Sequence, residues 1–500
     1  MSFIAVALVL STMHLEGDVP VDGGDYVDVP FDVPAGPVEI EVAHTDGSAD
    51  TILDWGVWGP DGYRGWGGGL TDNAIIGVDQ STRGYLPGPI TPGTWTVAIG
   101  KAKLLPTGAH YAIDVTCRDN ATLAVLPKQP FAAPVLSTER RWYKGDFHVH
   151  SIQSGDAAAT FDQIYALARS QGLDFANISD HNTVAQHALL AALQPSYPDF
   201  LVLRGAEITT YSGHANAVGI HDYVDHRLGY QGRTVTGIAD DVAAQGGVLI
   251  VNHPVLDLGT ACIGCEWKHV DDMAWDEVSG LEVITGNFDI GIQAFVPRAL
   301  ALWDSLLDQG HRITAIGGSD DHTAGANEGP TGSPIGNPTT LVLADSLSEA
   351  AIVDAIRHGR TTVQLRGPND PFVEMTMLTR DGVTAVLGDE VDGIDHVSIA
   401  VHVTGGTGSF VQLWKDGKKV DQQAVTSDDF HGTFERDPSG SPERFRIQLV
   451  DDTNQTVVIT SHIYVLGIAP SGCGCRTADP ASGLALGLVL VLARRRRRRR

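Results

Sequence analysis

Two histidines, His148 and His150, stand one residue apart in the stretch GDFHVHS. Side chains alternate across a β-strand, so both imidazoles would point to one face, about 6 to 7 Å apart, and could share a metal ion. The chain has 19 histidines in 500 residues, which gives about 0.7 such pairs by chance. The pair alone therefore does not establish a metal site.

Further histidines and acids stand where other short strand-like runs end. The runs lie in NISDHNT, FLVLRGAE, GVLIVNHP and ITAIGGSDDH, and the residues at their ends are Asp180, His181, Glu207, His253, Asp320 and His322. The carboxyl ends of parallel strands converge at one rim of an α/β barrel or sheet, where active sites are built. Position therefore favours a metal site over chance.

Two more candidate ligands, Asp156 and His214, are expected on loops. Imidazoles and carboxylates without a full set of thiolates favour zinc, manganese or iron. The candidates are more numerous than one ion can use. We therefore expect two or three divalent ions, at least one pair of them close enough to share a hydroxide.

The elements that would position these residues lie between 141 and 370, where strand patterns alternate with amphipathic helices. Such alternation predicts a parallel sheet with helical crossovers, closed as a barrel or open. Residues 16–125 and 371–467 instead show short strands with Gly- and Pro-rich turns, as in VEIEVAH and VSIAVHV, which predicts a β-sandwich on each side. Residues 126–140 form a Pro-punctuated linker.

The two ends differ from the body of the chain. Residues 1–15 have a short apolar core like that of a signal peptide, but no Lys or Arg precedes it. Residues 468–500 contain Cys473 and Cys475, an apolar run of thirteen residues and a terminal block of seven arginines. As a helix that run reaches about 20 Å, short of a bilayer core of roughly 30 Å.

The net charge of −27 argues against a nucleic-acid partner, because no basic patch is present to displace phosphate counterions. The expected partners are a small-molecule substrate, export and sorting machinery, and a membrane through the C-terminal tail alone.

Five ordered motifs, DFHVHS, ISDHNT, GAEITTYSGHAN, NHP and GGSDDH, resemble those of the PHP (polymerase and histidinol phosphatase) metallohydrolase superfamily. SGD after the first pair, GHAN, and GNPTTLVLADSLSEAAIVDAIRHGR are most similar to its CehA/McbA branch, named for carbaryl and other carbamate hydrolases. The resemblance implies a distorted (β/α)7 barrel, here between two β-sandwiches, with a multinuclear metal site.

The resemblance also implies a role for each ligand. One ion would be held by His148, His150, Glu207 and Asp320; Glu207 would bridge to a second bound by His214 and His253; Asp156, His181 and His322 would hold a third or act on substrate. The chain departs from the family at Ser154-Gly155-Asp156, where Ser-Asp-Gly is common, and this puts Asp156 in doubt.

The C-terminal layout resembles the MYXO-CTERM tail, a myxobacterial surface-sorting signal with a cysteine motif, a short hydrophobic helix and a basic end. This implies export, processing near Cys473 and Cys475, and a mature protein at the cell surface, associated with the outer membrane. An ordinary tail anchor or a solvated end is the alternative.

Three further assignments remain open in the sequence. Asp180 and Asp321 could orient ligating histidines, serve as acid or base, or cap the following turns. Cys262 and Cys265 form a single CxxC, which in an exported protein would be a disulfide. His187, His221, His226, His269 and His311 are expected to be ordinary structural histidines.

These observations favour an exported, cell-surface hydrolase that uses a metal-bound hydroxide on an ester, carbamate or amide bond. The alternatives are a PHP-type phosphoesterase, for which Arg204, Arg233, Arg298 and Arg366 could hold phosphate, and a non-catalytic surface binding module. Substrate, metal identity, oligomeric state and the role of either sandwich are left open by the sequence.

Overall fold

The computed structural model describes residues 9–46, 50–287, 294–326, 333–392 and 396–467. The predicted sorting tail, with Cys473 and Cys475, lies outside the described residues, as do the first eight residues of the predicted leader. Within these ranges, no helix combines the length and the hydropathy needed to cross a membrane.

The N-terminal region consists of two four-stranded antiparallel sheets, in the orders β1-β8-β3-β6 and β2-β7-β4-β5. The strands are β1 (Val9–Val19), β2 (Tyr26–Val33), β3 (Glu39–Asp46), β4 (Ile52–Gly59), β5 (Gly62–Gly68), β6 (Ala74–Gly77), β7 (Gly93–Lys103) and β8 (Ala109–Arg118). Alternate residues of both sheets, among them Ile40, Trp55 and Trp95, are buried in one shared core.

Strand β1 begins inside the predicted leader. Val9–Val19 pairs with β8 along its length, from Val9 opposite Arg118 to Val19 opposite Ala109. Cleavage after residue 15 would remove most of this edge strand. The leader stays a prediction.

The central region alternates strands with helices. Its strands are β9 (Val135–Ser137), β10 (Arg141–Val149), β11 (Phe175–Ile178), β12 (Leu201–Thr210), β13 (Gly213–Val218), β14 (Val248–Val251), β15 (Gly280–Thr285), β16 (Thr314–Gly318), β17 (Thr339–Ala344), β18 (Leu347–Ser348) and β19 (Thr361–Gln364). Its helices are α1 (Phe161–Ser170), α2 (His187–Leu193), α3 (Val235–Ala244), α4 (Phe295–Asp308) and α5 (Glu349–Arg357).

Local sequence explains where α1 begins and ends. Thr160 and Gln163 form a reciprocal capping box, in which the Thr160 hydroxyl accepts from the Gln163 amide and the Gln163 side chain accepts from the Thr160 amide. This satisfies two amide donors that a helix start otherwise leaves free. Gly172, with φ of +70°, follows the helix end.

The central strands belong to a large mixed sheet rather than a wholly parallel one. Strands β10, β11 and β12 run parallel, as do β14, β15 and β16. Strand β13 is antiparallel to both β12 and β14, because Tyr211–Ser212 turn the chain back directly. Strand β17 is antiparallel to β10.

The sheet curls until the residues after β16 meet β10, but no closed barrel is found in the described residues. The Asp320 amide donates to the His148 carbonyl at 2.8 Å, and the His150 amide to the Asp321 carbonyl at 2.9 Å. The described residues form no continuous ladder between β10 and β16. Two amides, one in β16 and one just after it, donate to side chains instead. The Ser319 amide donates to Asp146 Oδ1 (3.0 Å) and the Gly317 amide to Thr340 Oγ1 (2.8 Å). The predicted distorted (β/α)7 barrel is therefore not confirmed, and the described central strands form a curled mixed sheet whose two ends meet at this point.

The C-terminal strands are β20 (Phe372–Thr379), β21 (Thr384–Val386), β22 (Glu390–Val391), β23 (Val397–Thr404), β24 (Phe410–Lys415), β25 (Lys418–Ala424), β26 (Asp429–Arg436), β27 (Glu443–Val450), β28 (Thr456–Thr460) and β29 (Ile463–Val465). Of these, β22, β24, β25, β27, β28 and β29 extend the same sheet. Strand β28 pairs with β19, which joins the two regions. A separate sheet, β21-β20-β23-β26, packs on this extension through a common apolar core.

The N-terminal sheets contact the central region through aromatic side chains. Tyr63 donates its hydroxyl to the Asn182 carbonyl at 2.6 Å, and its ring stacks on Tyr223 with centroids 3.5 Å apart. This contact places the N-terminal strands beside the strand ends on which the candidate ligands stand.

Candidate metal centre

The curl of the sheet brings all nine candidate ligands to one region. His148 lies in β10 and His150 just after it, and His181, His253 and Asp320 follow β11, β14 and β16, as the strand-end pattern predicts. Two positions differ from the prediction. Glu207 lies inside β12 rather than at its end, and His214 lies in β13 rather than on a loop, because the direct turn lengthens both strands.

Glu207 is the middle of the cluster and is 1% exposed. Its two carboxylate oxygens face different histidines. Oε1 lies 3.3 Å from His148 Nε2, 3.4 Å from His214 Nδ1 and 3.5 Å from His253 Nε2; Oε2 lies 2.7 Å from His181 Nδ1 and 3.6 Å from His150 Nε2. A carboxylate with imidazoles on both oxygens has the arrangement of a bridging ligand.

Asp320 joins the first two histidines. Its Oδ1 lies 3.1 Å from His148 Nε2 and 3.2 Å from His150 Nε2. The backbone is left-handed at Asp320 (φ +59°) and at His253 (φ +27°), two non-glycine residues. Such strain at candidate ligands is typical of functional sites, where the surrounding structure maintains it.

A third group contains Asp156 despite its departure from the family pattern. Asp156 Oδ2 lies 3.2 Å from His181 Nε2 and 3.4 Å from His322 Nε2, and these two nitrogens are 3.4 Å apart. The His150 ring stacks beside both histidines, at 4.3 and 4.1 Å between centroids. The third group therefore adjoins the first.

The donor set fits divalent cations. Three clusters drawn wholly from the candidate ligands have ligand atoms that all lie within 4.8 Å of one another: His148 with Glu207 and His253, His148 with His150 and Asp320, and His150 with His181 and His322. His148 Nε2 and both ring nitrogens of His150 are buried without a hydrogen-bond partner. Buried nitrogens are costly unless they bond, and a metal ion would satisfy them.

The charged groups of the cluster shift one another's pKa values. Burial lowers the pKa of His148, but Asp320, Glu207 and Glu282 outweigh it and hold that pKa well above the usual value. Burial dominates at His150 and lowers its pKa to about 3. Burial raises the carboxylate pKa values, yet neighbouring histidines hold those of Glu207 and Asp320 well below their usual range. Both carboxylates are thus charged and available to cations.

Three buried polar residues support the cluster and were missed in the sequence. Glu282 accepts from His148 Nδ1 at 2.9 Å and from the His253 amide at 2.8 Å. Asn252 donates to Glu207 Oε1 at 2.8 Å, and Asp146 accepts from the His148 amide at 3.0 Å. A signal was present, since Glu282 is the one charge in the buried strand GLEVIT.

Asp180 and Asp321 bind backbone groups in turns. Asp180 accepts from the Ser151 amide and hydroxyl, both at 2.6 Å, and burial raises its pKa to about 7. Asp321 accepts from the amides of Thr323, Gly325 and Ile335. Of the alternatives raised by the sequence, these contacts favour turn capping over direct acid–base chemistry.

A short disulfide loop orients two of the histidines. Cys262 and Cys265 are bonded, with Cα atoms 5.6 Å apart. His214 Nε2 donates to the Ile263 carbonyl at 3.1 Å, and His253 Nδ1 donates to the Cys265 carbonyl at 3.0 Å. These bonds leave His214 Nδ1 and His253 Nε2 facing Glu207, which is how a ligating imidazole is usually held.

The remaining histidines lie outside the cluster. His187 is buried and bonds the Gly205 carbonyl, while His269 and His311 face Asp272 and Asp276. His221 is exposed beside Asp222. His226 differs, because it lines the cavity described next.

A cavity of about 820 Å³ opens over the centre. Its walls include Glu207, His214, His253 and Asp320 from the centre, and residues of the N-terminal strands. No Lys or Arg among the described residues lines it. The undescribed segments 288–293 (FDIGIQ) and 327–332 (NEGPTG), next to lining residues Asn287 and Ser333, contain none either.

No family model and no curated protein sequence matches the chain. Among solved structures, it is similar to a two-domain protein containing a predicted PHP-like metal-dependent phosphoesterase from Bacteroides vulgatus (18% identity, TM-score 0.36, covering 68% of this chain and 100% of that one). It is also similar to a protein assigned as a metal-dependent phosphoesterase from Bifidobacterium adolescentis (18% identity, TM-score 0.27, covering 37% and 89%). Both likenesses are remote, and the function is argued below from the site residues.

Proposed function

We propose that the protein is a metal-dependent hydrolase of the PHP type, close to its CehA/McbA branch, that acts on a carboxylic ester, carbamate or amide. The observation that carries this proposal is the cavity, which joins a histidine and carboxylate centre to walls whose described residues include no lysine or arginine. Such a cavity supplies ligands for ions and accepts a substrate that carries no negative charge.

The roles of the side chains follow from their contacts. His148, His150, Glu207 and Asp320 would hold one divalent ion, and His214 and His253 would share Glu207 in holding another. Bound ions of this kind lower the pKa of water and polarise a carbonyl oxygen. Glu282 and the Cys262–Cys265 loop keep the imidazoles in the ligating orientation.

Asp156, His181 and His322 either hold a third ion or act on the substrate directly. Their side chains line the cavity and are partly exposed, at 58%, 20% and 25%. His181 Nε2 and His322 Nε2 can therefore exchange a proton with a leaving alcohol or amine in the cavity.

Phosphoester hydrolysis is the weaker candidate because the arginines are engaged elsewhere. Arg204 pairs with Glu349, Arg233 with Asp241 and Arg366 with Asp451. Arg298 does not line the cavity. Apart from the proposed ions, a phosphate dianion would meet carboxylates and no guanidinium among the described lining residues, whereas phosphate sites commonly use arginine or lysine as well.

Substrate class can be tested on purified, metal-analysed protein with naphthyl acetate, a naphthyl carbamate and p-nitrophenyl phosphate. We expect turnover of the acetate or the carbamate, with kcat/KM at least about 100-fold above that for the phosphate, a difference of about 2.7 kcal/mol in activation free energy. Phosphatase activity equal to or above the esterase activity would overturn the assignment. Bound metal with no turnover of any substrate would favour a binding module.

We further propose that the protein is exported and displayed at the cell surface. The support is the tail's resemblance to a sorting signal and the Cys262–Cys265 disulfide, which suits an oxidising compartment. In protein from its native host, we expect a mature C-terminus near Cys475 and no reactive thiol at Cys262 or Cys265 after unfolding without reductant. An intact mass that ends at an unmodified Arg500, or two free thiols in that pair, would contradict export and processing.

A further inference from the structure

Part of the cavity wall lies away from the candidate ligands and combines aromatic rings with one carboxylate. We call it the aromatic wall, made of Tyr26, Asp54, Trp66, Tyr211 and His226. The Tyr211 hydroxyl donates to Asp54 Oδ2 at 2.7 Å. Tyr26 stacks on Tyr211 with centroids 5.8 Å apart at 23°, and the Trp66 ring meets Tyr26 edge-on at 6.3 Å. The wall is thus a built surface that joins the N-terminal and central regions.

These side chains converge over Gly100 in β7. A Cβ there would overlap the Tyr211 hydroxyl and lie 3.2 Å from Asp54 Cβ and 3.3 Å from the Trp66 ring. Any larger residue would push the three side chains apart. The close approach therefore depends on glycine and fixes the carboxylate among the rings.

Among the described residues, the carboxylate of the aromatic wall has no ion-pair partner, and one imidazole nitrogen of the wall has no hydrogen-bond partner. Asp54 forms no ion pair with a described basic side chain, and the positive charge that lowers its pKa is that of His181 in the metal centre. Burial raises the pKa of Asp54 to about 6, so the group is ionised at pH 8. His226 is 1% exposed, bonds Tyr223 through Nδ1, and leaves Nε2 without a partner.

We propose that the aromatic wall binds a substituted ammonium group of the substrate. This proposal rests on the proposed hydrolase function and narrows its substrate class to esters, carbamates or amides that carry a cationic amine. A carboxylate supplies the opposite charge, and aromatic rings attract a cation while packing against its alkyl groups. No Lys or Arg lines the described part of the cavity to compete for Asp54, and Arg227, whose charge acts on Tyr26, is paired with Asp225 at 2.9 Å.

Binding can be tested without hydrolysis, using choline and its uncharged isostere 3,3-dimethylbutanol at pH 8. By calorimetry, we expect the full-length metal-loaded protein to bind choline about tenfold more tightly than the isostere. Asp54→Asn should remove this preference, since asparagine retains an acceptor for Tyr211 but carries no charge. Asp50→Asn, an exposed change in the same region, is the matched control and should keep the preference.

A second variant, Tyr26→Leu, should also weaken choline binding and keeps the test informative if Asp54→Asn does not fold. Equal affinity of the unaltered protein for choline and the isostere would overturn the proposal. So would a choline preference that survives in folded Asp54→Asn.

Hydrolysis supplies the second readout. We expect kcat/KM for acetylcholine, the acetate ester of choline, to be about ten times that for 3,3-dimethylbutyl acetate. In Asp54→Asn this ratio should fall toward one. A ratio near one in the unaltered protein would count against the proposal. A choline preference that depends on Asp54, in a protein that hydrolyses no ester, carbamate or amide, would support the ammonium site and refute the hydrolase assignment.

Discussion

Glu207→Gln is expected to abolish hydrolysis, lowering kcat/KM on the order of a thousandfold, while the protein stays folded. Both carboxylate oxygens of Glu207 face imidazoles that would hold different ions. Glutamine has the same shape but offers one neutral oxygen and one N–H donor, so it cannot bridge two cations. Metal content per chain, measured by mass spectrometry beside activity and circular dichroism, should fall with the activity.

Two comparison variants separate bridging from general disturbance. Glu277→Gln changes an exposed glutamate of the same region and should leave metal content and turnover unchanged. Glu282→Gln leaves one acceptor oxygen for two donors, His148 Nδ1 and the His253 amide, and should weaken metal binding by about 10- to 100-fold. Near-normal metal content and turnover in Glu207→Gln would rule out the bridging role.

Removing the ions from the unaltered protein should also abolish activity and should lower the melting temperature. Ligands that bind the folded state alone stabilise it, by about 4 kcal/mol at a thousand times the dissociation constant. For a chain of this size, that corresponds to a fall of several degrees, roughly 5 °C. Dialysis against a chelator, metal analysis and a thermal scan would measure the effect.

Restoration completes the metal experiment. Zinc, manganese and iron added separately should show which ion recovers turnover, and saturation should require two or three ions per chain. The same chelation of Glu207→Gln should shift the melting temperature less, because that variant starts with less metal. Full activity in protein shown to be free of metal would refute the metal-dependent mechanism.

Much of the centre could be predicted from short-range pattern. His181, His253 and Asp320 follow apolar runs, and parallel strands place such positions at one edge whatever the detailed topology. The direction of β13 could not be predicted in this way. Parallel and antiparallel strands share the same apolar pattern, and the direction of β13 depends instead on the tight turn before Gly213. His214 was therefore placed on a loop.

The distorted barrel that the resemblance implies is not confirmed, for a different reason. Closure requires backbone amides of β16 and the residues after it to meet backbone carbonyls, and at Gly317 and Ser319 the side chains of Thr340 and Asp146 accept instead. Thr340 lies 23 residues from Gly317 in the chain, and Asp146 lies 173 residues from Ser319. The acceptor of each amide is therefore set by long-range contacts. Such competition leaves no local signature in the sequence.

The aromatic wall could not be predicted from the sequence either, because its residues are far apart in the chain. Tyr26, Asp54 and Trp66 read as ordinary members of a β-rich region, and 157 residues separate Asp54 from Tyr211, to which it is bonded. Burial of one acid among rings becomes visible only when the two regions are in contact. Glu282 was different, since a lone charge in a buried strand could have been singled out.

The cavity takes its candidate ligands from residues 156–322 and part of its wall, including three of the five residues of the aromatic wall, from residues 26–102. A large part of the proposed recognition surface is therefore encoded in a different stretch of the gene from the candidate ligands. Substitution or recombination in the N-terminal stretch can change which molecules the cavity binds without altering a metal ligand. A change in metal preference, in turn, need not alter substrate binding. A protein divided in this way can acquire new substrates through mutations that leave its chemistry intact, which makes the N-terminal strands the natural place to begin directed evolution.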